Sequence, residues 1–164
     1  MNRDELFAHF KMTRHPEGGA FAENYRSDLV VSAAGFSGPR SVSTGIYFLL
    51  GGDEFSAFHR IKSDEIWHFY LGGPLRIVEI DQAGRLHETI LGRDIHEGQA
   101  LTHVVKAGHW FASKPAPGSD FSLVGCTVAP GFDFQDFELA SRLELAQLFP
   151  EHAAIIEKLT AGGR

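Results

Sequence analysis

The chain is poor in cysteine, in clustered positive charge and in long apolar runs. Cys126 is the single cysteine among 164 residues, so no intramolecular disulfide can form. The formal net charge is -6, and Lys and Arg do not cluster, which argues against a nucleic-acid partner and against binding to an anionic membrane. The apolar runs are too short to span a bilayer, and nothing resembles a signal peptide. We therefore expect a cytoplasmic protein.

Tyrosine and tryptophan are scarce, with three and two residues, whereas phenylalanine and glycine are abundant, with 14 and 18. Aromatic residues favour strands, and glycine favours tight turns. Short apolar segments separated by glycine turns predict one all-β domain, built as a barrel or a sandwich over about residues 20–132. The predicted strands are 20–28, 42–50, 54–61, 65–71, 75–81, 85–91, 101–106, 109–113 and 121–129.

Helical periodicity is confined to the two ends of the chain. Residues 4–12 carry apolar side chains at helical spacing and predict an N-terminal helix that begins near Asn2 or Asp4. The apolar spacing over about residues 134–160 predicts a helical tail of one or two short helices, broken before Pro150.

A histidine and a glutamate fall on the inward faces of two neighbouring strands. On 54–61, His59 shares a face with Ala57, and on the next strand Glu65 shares a face with Trp67. A hairpin would bring His59 and Glu65 into one apolar cavity, where both are costly unless they bind each other, a metal or a ligand. All three interpretations remain open at this point.

The spacing around this pair resembles the first motif of the cupin superfamily, and residues 104–113 resemble the second. In this chain the first motif runs from Gly52 through His59, Ile61 and Glu65 to Gly72. The resemblance implies a double-stranded β-helix, or jelly roll. It also implies that metal-binding members use three histidines and one glutamate, whereas Ile61 and Phe111 occupy two of those four positions here. No cofactor is therefore expected.

A divalent metal remains an alternative, held weakly by His59 and Glu65. His68 and His109 are the candidates to replace a missing ligand.

Cys126 lies between apolar residues of strand 121–129 and is interpreted as a buried, inert thiol.

Four longer stretches make the whole chain similar to a small family of uncharacterised cupins (cupin 5-like). They are residues 15–28, 43–50, 58–75 and 123–139. This resemblance implies a homodimer, to which strand 20–28 is expected to contribute, and no settled biochemical role.

A second resemblance is to the metal-free sugar-nucleotide 3,5-epimerases of the cupin class. Residues 18–23, GGAFAE, are similar to their N-terminal stretch, with Phe21 and Glu23 at matching positions. The resemblance implies that His59 is the general base, and Glu65 is then its orienting carboxylate. The tyrosine general acid of those enzymes has no match in 121–129.

The expected partner is a small molecule bound inside the domain. Arg26 is the candidate anion anchor, because a guanidinium binds phosphate or carboxylate at two points. Glu23, Phe21, Trp67 and Trp110 are the further candidate ligand-binding residues, and Glu17 is a candidate, with Glu23 and Arg26, to line the mouth of the pocket. We predict a metal-free, isomerase- or epimerase-like enzyme acting on a carbohydrate-like or polar metabolite. The alternatives are a non-catalytic metabolite-binding or sensing protein and a weak divalent-metal cupin enzyme.

Overall fold

The computed structural model describes residues 1–162, and its strands form two large antiparallel sheets and a small two-stranded ribbon. The predicted strands are all present, each with ends within about two residues of those expected. The strands are β1 (Thr13–Arg14), β2 (Ala20–Arg26), β3 (Val30–Val31), β4 (Arg40–Ser41), β5 (Thr44–Gly51), β6 (Ser56–Arg60), β7 (Asp64–Gly72), β8 (Leu75–Ile80), β9 (Leu86–Leu91), β10 (Thr102–Val105), β11 (Trp110–Pro115), β12 (Phe121–Ala129) and β13 (Glu138–Leu139).

The two large sheets pack face to face as a jelly-roll sandwich. One has the strand order β1-β2-β5-β12-β7-β10 and the other the order β13-β6-β11-β8-β9, while β3 and β4 form the ribbon. No strand of the described residues pairs across the two sheets, so they do not form the closed barrel that was one of the two expected forms. Aromatic and aliphatic side chains fill the space between them, among them Phe48, Ile77, Phe111 and Val124.

Helices cover the outer face of each sheet. Helix α1 (Arg3–His9) begins beside Asn2, as expected, and ends three residues before the predicted end at residue 12. Asn2 and Glu5 form a capping box at its start, and the helix packs on the six-stranded sheet. Helices α2 (Arg142–Leu148) and α3 (Ala153–Lys158) pack on the five-stranded sheet. None of the helices within residues 1–162 is long and apolar enough to cross a membrane.

The predicted helical tail is confirmed only from Arg142 onward. Residues 134–136 form a single 3₁₀ turn, and 138–139 form β13, which extends the five-stranded sheet beside β6. A buried two-point ion pair between Arg40 and Asp136, at 2.7 and 2.9 Å, holds this segment across the end of the sandwich. The break before Pro150 is confirmed, because α2 ends at Leu148.

Candidate functional site

A cavity of about 340 Å³ lies between the two sheets at one end of the sandwich. Strands β2, β5, β6, β7 and β12 supply most of its walls, the loop before β2 supplies part of its floor, and the segment after β12 roofs it. The lining residues are His15, Glu17, Phe21, Glu23, Arg26, Thr44, Ile46, Phe48, His59, Ile61, Glu65, Cys126, Val128, Phe132, Asp133, Phe134 and Phe137.

The turn at residues 15–19 carries two of the polar lining residues. Gly18 and Gly19 both have positive φ, +111° and +73°, which side-chain-bearing residues rarely adopt. The turn lies directly on β6, because the amide of Ala57 donates to the Glu17 carbonyl at 2.7 Å. A Cβ on Gly18 would lie 2.1 Å from the Phe55 carbonyl oxygen, so only glycine permits this approach. The contact places the Glu17 side chain over the cavity floor.

Glu17 and His59 form a buried ion pair at the floor. His59 Nε2 lies 3.0 Å from Glu17 Oε2, and His59 Nδ1 donates to the Ala57 carbonyl at 2.7 Å. Burial alone would disfavour both charges, but each charge supports the other: the pKa of the His59 imidazole is raised and the pKa of the Glu17 carboxyl is lowered. His59 is therefore an imidazolium with both nitrogens engaged.

His15 is a second buried imidazole beside Glu17, and it is neutral. Burial lowers the pKa of His15; the Glu17 charge opposes that effect and the His59 charge adds to it. The Glu17 amide donates to His15 Nδ1 at 3.3 Å, which puts the ring proton on Nε2. That N–H has no hydrogen-bond partner among the described residues. The ring lies among phenylalanines, within 4.9 to 6.5 Å of their centroids.

Glu65 is the second carboxyl group on the floor, and its protonation state differs from that of Glu17. Burial raises the pKa of Glu65 to about 7; the charge of His59 opposes the rise and the charge of Glu17 adds to it. The thiol of Cys126 lies against Glu65, and burial raises the pKa of that thiol well above its usual value. At about pH 6 the floor of the cavity therefore holds an ionised Glu17 beside a largely protonated Glu65, and at pH 7 Glu65 is about half protonated.

A β-bulge in β2 places Arg26 at the cavity mouth. Strict alternation would put Arg26 on the face opposite Glu23, but the register with β5 shifts between Glu23 and Tyr25. Arg26 consequently lies on the same side as Glu23 and donates to both carboxylate oxygens, at 2.9 and 2.8 Å. It also donates to the Phe132 carbonyl of the roof at 3.3 Å.

The structure brings five of the seven predicted site residues to this cavity and leaves two elsewhere. Phe21, Glu23, Arg26, His59 and Glu65 line it. The two tryptophans do not. Trp67 packs edge-on against Phe48 and Phe111 in the centre of the sandwich. Trp110 faces outward, under the C-terminal helices, with the Arg60 guanidinium 4.5 Å above its ring.

The orienting carboxylate of His59 is the main correction to the expected site. The sequence assigned that role to Glu65, whereas the hydrogen-bonded carboxylate is Glu17, with His15 beside it. Both residues lie in a turn that sequence spacing does not place near β6. The two glycines after Glu17 indicate a tight turn in the sequence. They do not indicate which strand the turn contacts.

The cavity residues do not fit the metal that other cupins hold. Both nitrogens of His59 already donate, and Ile61 and Phe111 offer no donor atom. The candidate replacements are engaged elsewhere: His68 contacts Thr127 at 3.0 Å, and His109 contacts Glu79 at 3.2 Å. Within residues 1–162 no group of three or more His, Cys, Asp or Glu side chains is arranged to hold a metal ion.

Two face-packed antiparallel sheets with a polar cluster at one end place the protein among the cupins. The chain belongs to the family described as Cupin superfamily (DUF985), whose model matches residues 4–140. No curated protein matches the chain.

Solved structures of similar proteins agree with this assignment. A hypothetical protein from Leishmania major is 30% identical with a TM-score of 0.91, over 99% of this chain and 100% of that one. A protein from Shewanella oneidensis is 37% identical with a TM-score of 0.91, over 99% of each chain. Oxalate decarboxylase from Bacillus subtilis is 15% identical with a TM-score of 0.56, over 92% of this chain and 37% of that one, and shares the fold alone.

Proposed function

We propose that the protein is a metal-free acid-base enzyme that isomerises a small hydroxycarbonyl compound bound in this cavity. One observation supports the proposal above the others: two buried carboxyl groups line the same cavity in different surroundings. Glu17 is ion-paired with His59 at 3.0 Å, which lowers its pKa, whereas burial raises the pKa of Glu65 to about 7. Environments that separate the pKa values of two such groups assign one as base and the other as acid. Glu17 is then the base. Glu65 is the general acid, the role for which the sequence offered no matching tyrosine.

Proton transfer between these groups and the ligand balances without a cofactor. Glu17 removes the proton from the carbon next to the carbonyl group, and Glu65 gives its proton to the carbonyl oxygen, so a neutral enediol forms. Glu17 then protonates the neighbouring carbon, and Glu65 takes the proton of the other enediol hydroxyl. Both carboxyl groups return to their starting states, and the product is the isomer. His59 is a positioning residue that keeps Glu17 ionised, and the free N–H of His15 is a donor for a ligand oxygen.

Ligand binding without turnover is the second candidate function. The general base expected from the sequence was His59, and the pairing of both its nitrogens removes it from that role. The phenylalanine-rich wall and roof also suit a binding site, since such pockets are mostly apolar with a few polar groups. A sensing protein needs no more than this.

Hydrogen exchange in heavy water separates the two functions. The probe is 2-hydroxyacetophenone, an uncharged aromatic hydroxyketone, and NMR follows deuterium entry at its carbinol carbon. We expect the parent protein to catalyse exchange, and Glu17→Gln to lower the rate by about 10²–10⁴-fold. Glu65→Gln removes the acid and lowers the rate by a similar factor. Glu88→Gln, on the outer surface of β9, is the matched control and retains the parent rate.

Two results would contradict the enzyme. Exchange that survives Glu17→Gln would remove the proposed base. Calorimetric binding of the ketone without exchange in the parent protein would favour the binding function instead.

A further inference from the structure

The cavity contains no cation that is free to receive an anionic ligand. Its basic lining residues, within the part of the chain that the structure describes, are His15, Arg26 and His59. His15, whose pKa is lowered by burial, lies 3.5 Å from Glu17 Oε2, and His59 is matched by the same carboxylate at 3.0 Å. Arg26 is matched by Glu23 through two hydrogen bonds, at 2.9 and 2.8 Å.

The remaining charges at the mouth and in the cavity are negative or absent. Asp133 lies in the roof next to Phe132, whose carbonyl accepts from Arg26. Glu65 adds a further negative charge whenever it ionises. An anion entering this cavity would lose its hydration without gaining a counter-charge, and would meet carboxylates of the same sign.

We propose that Glu23 determines the ligand class of the cavity: by neutralising Arg26 it makes the site select uncharged hydroxycarbonyl compounds over their carboxylate and phosphate counterparts. This inference rests on the proposed function, because it takes the cavity as the ligand site. It departs from the expectation that Arg26 anchors an anion. Removal of the Glu23 charge should favour an anionic ligand, and removal of the Arg26 charge should not.

The pair lies where substitution is tolerated. The side chains of Glu23 and Arg26 are 42% and 44% exposed, so Glu23→Gln leaves the core untouched. The substitution preserves the shape of the side chain and a hydrogen bond to Arg26 but removes the matching charge. The outer-surface pair Arg76–Glu88, with exposures of 38% and 44%, provides an equivalent change away from the cavity.

Calorimetric titration with a matched pair of probes tests the inference at about pH 6, where Glu65 is largely neutral. Mandelamide is uncharged, whereas mandelate has the same phenyl and hydroxyl groups and a carboxylate. We expect the parent protein to bind mandelamide at least about tenfold more tightly than mandelate. Glu23→Gln should tighten mandelate about tenfold, with little change for mandelamide, and about 0.5 M salt should weaken that gain.

Further variants identify the source of any gain. The double variant Glu23→Gln/Arg26→Gln should lose the improved mandelate binding, and Glu88→Gln should show none. Tighter mandelate binding by the parent, or no gain in Glu23→Gln, would overturn the inference. Because binding is measured directly, selective binding without proton exchange would reject the enzyme and retain the ligand class.

Discussion

Glu65 titrates within the physiological pH range, which makes its state measurable through stability. Burial raises the pKa of this carboxyl to about 7, whereas an exposed glutamate titrates near about 4.3. Between these values the folded state retains a proton that the unfolded chain has released, so stability falls as the pH rises. We expect Glu65→Gln, which cannot ionise, to gain about 2–3 kcal/mol of stability relative to the parent between about pH 5 and about pH 8.

Urea unfolding of both proteins at the two pH values checks this expectation. Glu88→Gln, on the outer surface, should differ from the parent by the same small amount at both pH values. A difference between Glu65→Gln and the parent that does not widen with pH would show that Glu65 is ionised throughout, and would deprive the mechanism of its acid.

At this scale, alternation along a strand predicted the inward-facing polar residues well. His59 and Glu65 reach the cavity because each lies an even number of positions from an inward-facing neighbour. The same reasoning could not give their partners. Glu17 meets His59 across 42 positions of sequence, through a turn whose docking depends on the whole sheet. Arg26 reaches the mouth through a bulge that local composition does not mark.

Among the elements, the turn at 15–19 links the fold to the site. Its position depends on Gly18, whose φ of +111° and contact with the Phe55 carbonyl both exclude a side chain. We expect Gly18→Ala to cost at least about 2 kcal/mol, because strain and a backbone clash add. The turn would move off β6 and take Glu17 away from His59, so the variant should also lose mandelamide binding in calorimetric titration.

Gly118→Ala separates strain from the clash. Gly118 also has a positive φ, +81°, but a Cβ there would meet no atom within 4 Å. Its cost in urea unfolding should be about 1 kcal/mol, the penalty of the backbone conformation alone. Equal losses for the two variants would contradict a tight contact between the turn and β6.

Elements with strong periodicity were predicted from the sequence, and elements made by tertiary contact were not. The nine predicted strands and α1 each carry their own pattern of apolar residues and turns. Strand β13 is two residues long and lies in a stretch of helical composition. It forms because β6 offers an open edge and the Arg40–Asp136 pair delivers the chain to that edge. Neither the open edge of β6 nor the Arg40–Asp136 ion pair can be predicted from local sequence patterns.

At the scale of the whole molecule, the six-stranded sheet has an open edge next to the cavity. Strand β1 covers β2 only at Ala20 and Phe21, so the remainder of β2 has no neighbour on that side within the described residues. Beyond β2 the hairpin continues as an arm, residues 27–43, with Leu29 and Val30 exposed at 68% and 60%. Open edges and exposed apolar side chains favour pairing with another chain.

We propose that a second copy of the chain covers this edge and arm, in line with the homodimer expected from the family resemblance. Light scattering should give twice the 18.1 kDa mass of one chain. Val30→Lys puts a charge into the contact and should raise the dissociation constant at least about tenfold. Val104→Lys, on the opposite edge strand β10, is the control and should stay dimeric.

A monomer in the parent protein would reject the dimer. Dissociation caused by Val104→Lys alone would place the dimer contact at the far edge of the sheet. Because Arg26 ends β2, a dimer through this edge would place the second chain beside the cavity mouth, and Val30→Lys should then alter mandelamide affinity as well as mass.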